Sequence, residues 1–325
     1  MSSSACRTVP SGHFSPLRYP GGKGKLARFV TDVIRKNNLH DGTYIEPYAG
    51  GAGVALELLL TGVVRRIEIN DLNRPIYEFW RAVLFHTQEL TDMIRETDVN
   101  MSTRDRVKRL LMDGGASGVE LAFATFFLNR TNRSGILNGG AIGGVEQSGP
   151  WKLDARYNKP VLIERIYNIA RMRKRVSLTN MDAVDFLKNI PQNTNKKTLI
   201  YLDPPYYNKG RDLYYNFYHH DDHANVAFAT HGLKGVSWIV SYDDVGPIHD
   251  LYQQSSCLQY TIGYSARDRL RGSEAMFFSP GLKIPPVQGS MIETFRSEQR
   301  KGGSGVRDEQ ADPFQESANE FARMC

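Results

Sequence analysis

The chain has 325 residues, 41% of them hydrophobic, and a formal net charge of +6 at pH 7. That length and apolar content are enough for one substantial core, with or without a large insertion, and exclude disorder along the whole chain. The basic excess suits a polyanionic partner without identifying one. Cys6, Cys257 and Cys325 lie far apart with no CxxC pair, so they read as reduced thiols and suggest neither a disulfide framework nor a zinc site. Met1 to Ser11 is polar, unlike a secretory signal, and no segment has the length of a membrane span; a cytoplasmic location is expected.

Residues 1–14 read as a flexible N-terminus, and a Gly-, Pro- and Lys-rich loop then feeds Leu26 to Ile34, whose apolar residues recur at helical spacing. Tyr44 to Tyr48 predicts a short strand, Ala49-Gly50-Gly51-Ala52-Gly53 a glycine turn, and Val54 to Leu60 a helix. Arg66 to Asp71 predicts a second strand with an acidic end, followed by helical periodicity from Pro75 to Leu84. From about Gln88 to Lys159 the alternation stops, and a basic, helical stretch leads into the glycine-rich segment Ser134 to Gly149. This interval, 88–159, reads as an inserted subdomain. Strand candidates resume at Val176 to Asn180, Leu199 to Leu202 and Ser237 to Ser241, so 15–87 and 160–285 are expected to form one doubly wound α/β domain. The polar residues 286–325 read as a disordered tail.

The most specific motif is Asp203-Pro204-Pro205-Tyr206, directly after the apolar run Leu199 to Leu202, at the strand end where open α/β sheets place their sites. An amino group conjugated to an aromatic ring is a poor nucleophile because its lone pair is delocalised. Hydrogen bonds from that group to the Asp203 carboxylate and the Pro204 carbonyl would localise the lone pair. Two consecutive prolines hold that carbonyl rigidly, and Tyr206 can stack on a base. Such a base must first be flipped out of its duplex, at a cost of a few kcal/mol. The plainer alternative is a proline-rich turn with a half-buried tyrosine.

In Glu46-Pro47-Tyr48-Ala49-Gly50-Gly51-Ala52-Gly53 the glycines would let a cofactor approach the backbone at the first strand-to-helix turn, or would merely allow tight packing. The run is neither GxGxxG nor a P-loop, so dinucleotide and nucleoside triphosphate readings are weak. Asp71 could accept hydrogen bonds from a ribose or cap the helix that follows. His219 and His223 share a helical face, but no further ligand set is visible; no metal is expected, and a helix start capped by Asp221 and Asp222 is simpler. Arg171-Met172-Arg173-Lys174-Arg175 reads as a solvated face, with nucleic-acid contact as the alternative.

Taken in order, Arg18-Tyr19-Pro20-Gly21-Gly22-Lys23, Glu46 to Gly51, Ile69-Asn70-Asp71-Leu72-Asn73 and Asp203 to Tyr206 resemble the Dam-like (alpha-group) DNA adenine-N6 methyltransferases, over roughly Ser15 to Pro280. The resemblance implies a Rossmann-like methyltransferase domain dependent on S-adenosylmethionine (SAM), with an inserted, mainly helical DNA-recognition subdomain and double-stranded DNA as partner. It places Tyr19, Lys23, Asp71 and Asp203 against SAM together with the Glu46-Pro47-Tyr48 and Gly50 turn, and makes Asp182 the acidic residue that meets the cofactor's adenine. It makes Asn129, Arg130, Asn132 and Arg133 DNA contacts, residue types that grip phosphates or base edges. Two positions depart from the family pattern: Tyr48 replaces a phenylalanine, and Ala52 stands at the second glycine. Methylation of cytosine N4 or of RNA, or a DNA-binding module with a decayed SAM pocket, are the rival readings.

Overall fold

The computed structural model describes residues 14–18, 26–191, 197–208, 218–262, 273–289 and 291–297. Eight strands form one sheet: β1 (Thr43–Glu46), β2 (Arg66–Asn70), β3 (Val176–Thr179), β4 (Thr198–Leu202), β5 (Ser237–Asp243), β6 (Ser256–Ile262), β7 (Glu274–Phe278) and β8 (Met291–Ser297). Their spatial order is β3-β2-β1-β4-β5-β7-β6-β8. The first five run parallel, and β7, β6 and β8 join by antiparallel pairing. Strand order reverses between β1 and β4, and open sheets bind ligands beyond the carboxyl ends of the strands at such a point.

Alternate residues of each strand face opposite sides of the sheet, so a strand covered on both sides is apolar throughout. All five residues of β4 are buried. Leu199 and Tyr201 join one hydrophobic cluster, Ile200 and Leu202 the other. The first cluster is covered by α1 (Ala27–Lys36), α2 (Gly53–Leu60), α3 (Arg74–Phe85), α4 (Thr87–Glu96), α6 (Gly118–Thr131) and α7 (Lys159–Ala170). The second is covered by α8 (Ala183–Lys188), α9 (His220–His231) and α10 (Gly246–Leu251). This is a doubly wound α/β sheet, as expected.

The interval 88–159 opens with helices, α4, then α5 (Met101–Met112), then α6, and continues as turns around a 3-10 turn at Arg133–Gly135. Most of its buried apolar side chains belong to the main core. Phe126 of α6 stacks on Phe79 of α3 with centroids 5.9 Å apart and meets Tyr157 edge-on at 5.4 Å. Leu90, Ile94 and Val107 lie in the same cluster.

One expectation is corrected. The supposedly disordered 286–325 contributes β8, which pairs with β6 from Cys257↔Ser297 to Ile262↔Met291. Most of β8 is exposed, so backbone pairing holds it where its sequence gave no apolar alternation. Among the described residues no helix is long and apolar enough to cross a membrane.

Candidate active site

The carboxyl ends of β3, β2, β1 and β4 lie side by side, and Glu46 to Gly50, Asp71, Asp182 and Asp203 to Tyr206 stand at or just after them. Asn70, the last residue of β2, ties three of these ends together. Its amide donates to the Pro47 and Met181 carbonyls at 3.0 and 2.9 Å, and its oxygen accepts from Thr179 Oγ1 at 2.8 Å and Met181 N at 3.0 Å. Sequence reasoning gave Asn70 no role of its own; β2 also carries Arg66 and Glu68, so a further polar residue at its end did not stand out.

The glycine turn is held from three sides. Trp80 Nε1 of α3 donates to the Gly50 carbonyl at 2.9 Å, the Ser15 hydroxyl donates to that of Gly51, and Gly50 N donates to Asp71 Oδ2 at 2.7 Å. Gly50 and Ala52 both lie in the left-handed region, with φ of +46° and +47°. For Ala52 that conformation costs about 1–2 kcal/mol relative to a right-handed one. Its methyl is buried in the first cluster.

Asp71 also accepts from Asn73 N at 2.8 Å, so it staples the glycine turn to the start of α3, whose N-cap is Asn73. Burial pushes its carboxyl up to about 6, against the lowering effect of those two amides. A carboxylate has about four acceptor positions, and two are used, which leaves capacity for a pair of ligand hydroxyls. Asp182 caps α8 by accepting from Val184 N and Asp185 N at 2.9 and 3.3 Å.

Glu46 is enclosed. Its Oε1 accepts from Tyr44 OH at 3.0 Å and from Ala55 N at 3.1 Å, which fixes the first turn of α2 to β1. Desolvation pushes its pKa up to about 8, helped by the nearby Asp203, so it is mostly protonated at neutral pH. Tyr48 faces Tyr218 edge-on, ring centroids 6.4 Å apart. Its hydroxyl is raised well above the ordinary value by burial and by Tyr218.

At the end of β4, Asp203 Oδ1 accepts from Ser241 Oγ at 2.8 Å, and Ser241 in turn bonds Tyr201 OH at 2.8 Å. Pro204 and Pro205 are buried. Tyr206 donates its phenol to Glu274 Oε1 at 2.9 Å, and Tyr260 donates to Glu274 Oε2 at 2.7 Å. Ser241 and Glu274, which hold candidate site residues, were missed by the sequence reading. Ser241 closed a recognised strand, but β7, which carries Glu274, was not recognised.

Tyr19 and Lys23 lie outside the described residues. Two of the four expected DNA contacts are corrected. Asn129 is 1% exposed, donates to the Arg18 and Gly135 carbonyls and accepts from Arg18 N at 2.7 Å. Asn132 is fully buried, donates to the Ile136 and Leu137 carbonyls and accepts from Arg104 Nε at 3.0 Å. Both shape the loop after α6 and have no face left for a base. Arg133 is exposed. Arg130 donates Nε to the Arg156 carbonyl at 2.8 Å, and burial, with Arg18 and Arg165 nearby, pushes its pKa down to about 10. Among the described residues, no carboxylate pairs with Arg18, Arg130, Arg156 or Arg165.

His219 and His223 stand in different surroundings. His219 precedes α9 and donates its backbone N–H to Asp222 at 2.8 Å, while His223 is buried with Nδ1 3.1 Å from Tyr242 OH. No group of three or more His, Cys, Asp or Glu among the described residues is placed to hold a metal ion. Arg171 and the turn Arg173–Arg175 are exposed, as a solvated face would be.

A type II methyltransferase, M.MjaIII of Methanocaldococcus jannaschii, is 21% identical over 207 residues, covering 58% of this chain and 68% of that protein. Two solved structures align loosely. The rRNA methyltransferase aviRa of Streptomyces viridochromogenes has TM-score 0.34 and 12% identity over 83% of this chain and 87% of its own. The putative methylase HI0767 of Haemophilus influenzae has TM-score 0.29 and 11% identity over 77% and 87%. At those scores neither adds to the strand order above. The model of the D12 class N6 adenine-specific DNA methyltransferases matches residues 19–264, about three quarters of the sequence, and the chain belongs to that family.

Proposed function

We propose that this DNA adenine methyltransferase is of the Dam-like kind, uses SAM as methyl donor, and acts on an adenine flipped out of double-stranded DNA. The observation that carries this reading is Asp203 at the end of β4, beside the point where strand order reverses, with its carboxylate oriented by Ser241. Bound SAM would supply a methyl group activated by its sulfonium. Asp71 would hold the ribose hydroxyls with its remaining acceptor positions, Asp182 would face the adenine of the cofactor, and the Gly50 turn with Glu46, Pro47 and Tyr48 would wall the pocket. Tyr19 and Lys23 would complete it from the N-terminal loop.

The chain's own contribution to the reaction is orientation and polarisation. Asp203 and the Pro204 carbonyl accept hydrogen bonds from the target amino group and localise its lone pair. Pro205 stiffens the turn, and Tyr206 stacks on the extruded base, returning roughly 1–3 kcal/mol of the flipping cost. Transfer is direct and in line, with no covalent enzyme intermediate. Arg130 and Arg133, together with Arg18, Arg156 and Arg165 near Arg130, supply positive charge for the DNA backbone.

The test is transfer of radiolabelled methyl from SAM to unmethylated plasmid, with nucleoside analysis of the product. Label in N6-methyladenine that disappears with Asp203→Ala, while DNA binding persists, supports the reading. Label in cytosine, label only on RNA, or an active Asp203→Ala protein overturns it.

A further inference from the structure

We propose that Asp243 is a positioning residue for methyl transfer: its buried carboxylate anchors the chain as it leaves Asp203-Pro204-Pro205-Tyr206. This rests on the reading of that tetrapeptide as the catalytic segment. Asp243 ends β5 and is 7% exposed. Its Oδ1 accepts from Tyr207 N at 2.8 Å and its Oδ2 from Asn208 N at 3.0 Å. Both carboxylate oxygens are thus committed to two consecutive backbone amides immediately after Tyr206. Two hydrogen bonds to the two oxygens of one carboxylate fix direction as well as distance.

The clamp extends across the sheet. Asp243 and Glu274 are register partners between β5 and β7, and Glu274 takes the Tyr206 phenol. Two residues upstream of Asp243, Ser241 takes Asp203. Asp203, Tyr206, Tyr207 and Asn208 are therefore all tied to one ladder, the first two through their side chains and the last two through their backbones. Prolines at 204 and 205 have no N–H to donate, so the middle of the segment offers no backbone donor for anchoring. Asp243 supplies the downstream fixed point against which the Pro-Pro turn is rigid, and this keeps the Pro204 carbonyl and the Tyr206 ring aimed at the base.

The expected signature is loss of rate without loss of binding. Displacement of reacting groups by about 1 Å can cost about a hundredfold in rate. In single-turnover transfer to unmethylated plasmid, Asp243→Ala is expected to fall about a hundredfold, with Kd for SAM within about twofold of wild type. Asp243→Asn keeps the size and one carbonyl acceptor, and is expected to recover about tenfold of that loss. Asp203→Ala, run alongside, separates the two readings: if it stays active, the catalytic segment is misassigned. If Asp203→Ala is dead while Asp243→Ala transfers at close to the wild-type rate, only the role of Asp243 is overturned. Parallel loss of SAM affinity and rate in both Asp243 variants would likewise overturn it, as a general folding role. Should Asp243→Ala not fold, the Asn variant decides: a reduced rate with unchanged SAM affinity supports the proposal, and a wild-type rate overturns it.

Discussion

Glu46 offers a quantitative test of the site's electrostatics. Its carboxyl is raised from 4.5 to about 8 because β1 and α2 enclose it, so between those values the folded protein holds one proton more than the unfolded chain. Stability must then fall as pH rises through that window, with a limiting slope of about 1.4 kcal/mol per pH unit. Asp71, raised to about 6, acts with the same sign lower down and has mostly ionised by pH 7. His223, lowered from 6.5 by burial, acts with the opposite sign, and that contribution too is over by pH 7. The interval from pH 7 to 8 therefore isolates Glu46, and about 1 kcal/mol should be lost across it. Glu46→Gln keeps an oxygen for Tyr44 OH and Ala55 N while placing an amide where the proton sat, and should not titrate. Chemical denaturation of both proteins without cofactor, at intervals from pH 5.5 to 8.5, should show the wild type falling below the variant as pH rises above 7. If the two curves stay parallel, Glu46 is ionised in the folded protein, and the reading of this carboxyl as a buried neutral group is wrong.

Asp71→Asn should weaken SAM binding about tenfold, or about 1.4 kcal/mol, in a calorimetric titration; unchanged affinity would remove Asp71 from the cofactor site. Asn132→Ala should destabilise by about 2–4 kcal/mol, because it strands the buried Arg104 Nε and two part-buried carbonyls. Arg133→Ala should leave the unfolding midpoint where it is and reduce the salt dependence of DNA binding by about one counterion. The opposite pattern in those two variants would restore Asn132 as a DNA contact. Phe126→Ala should cost about 3–5 kcal/mol in denaturant unfolding, since the ring packs between Phe79 and Tyr157; a loss under 1 kcal/mol would mean that α6 does not share the main core.

The parallel half of the sheet was legible because its strands are short apolar or alternating runs, several of which end in residues with chemical meaning. β4 is buried along its whole length, so Thr198–Leu202 could hardly be anything but a central strand. The antiparallel half was not legible. β8 shows a mostly exposed edge, and β6 exists through pairing with chain on both sides of it, β7 and β8, which no local pattern announces. Asn129 and Asn132 were misread for a different reason: their side chains could serve a base or a loop equally well. The helix they close supplied the discriminating signal. Gly118–Thr131 is apolar on all sides, and such a helix lies in a core, where a polar residue must spend its hydrogen bonds on its own backbone surroundings.

The same distinction separates the chemistry of the site from its aim. The groups that would touch substrate are written contiguously, Asp203 to Tyr206, because one strand end must deliver them together. The groups that hold Asp203, Tyr207 and Tyr206 come from 38, 36 and 68 positions further along, as Ser241, Asp243 and Glu274. A lone Ser, Asp or Glu at a strand end carries no signal of its own, and acquires a role only when β5 and β7 are laid beside β4. Motif reading therefore locates a reaction more readily than it locates the residues that set the reaction's geometry, and substitutions at those distant positions are where rate and binding should come apart.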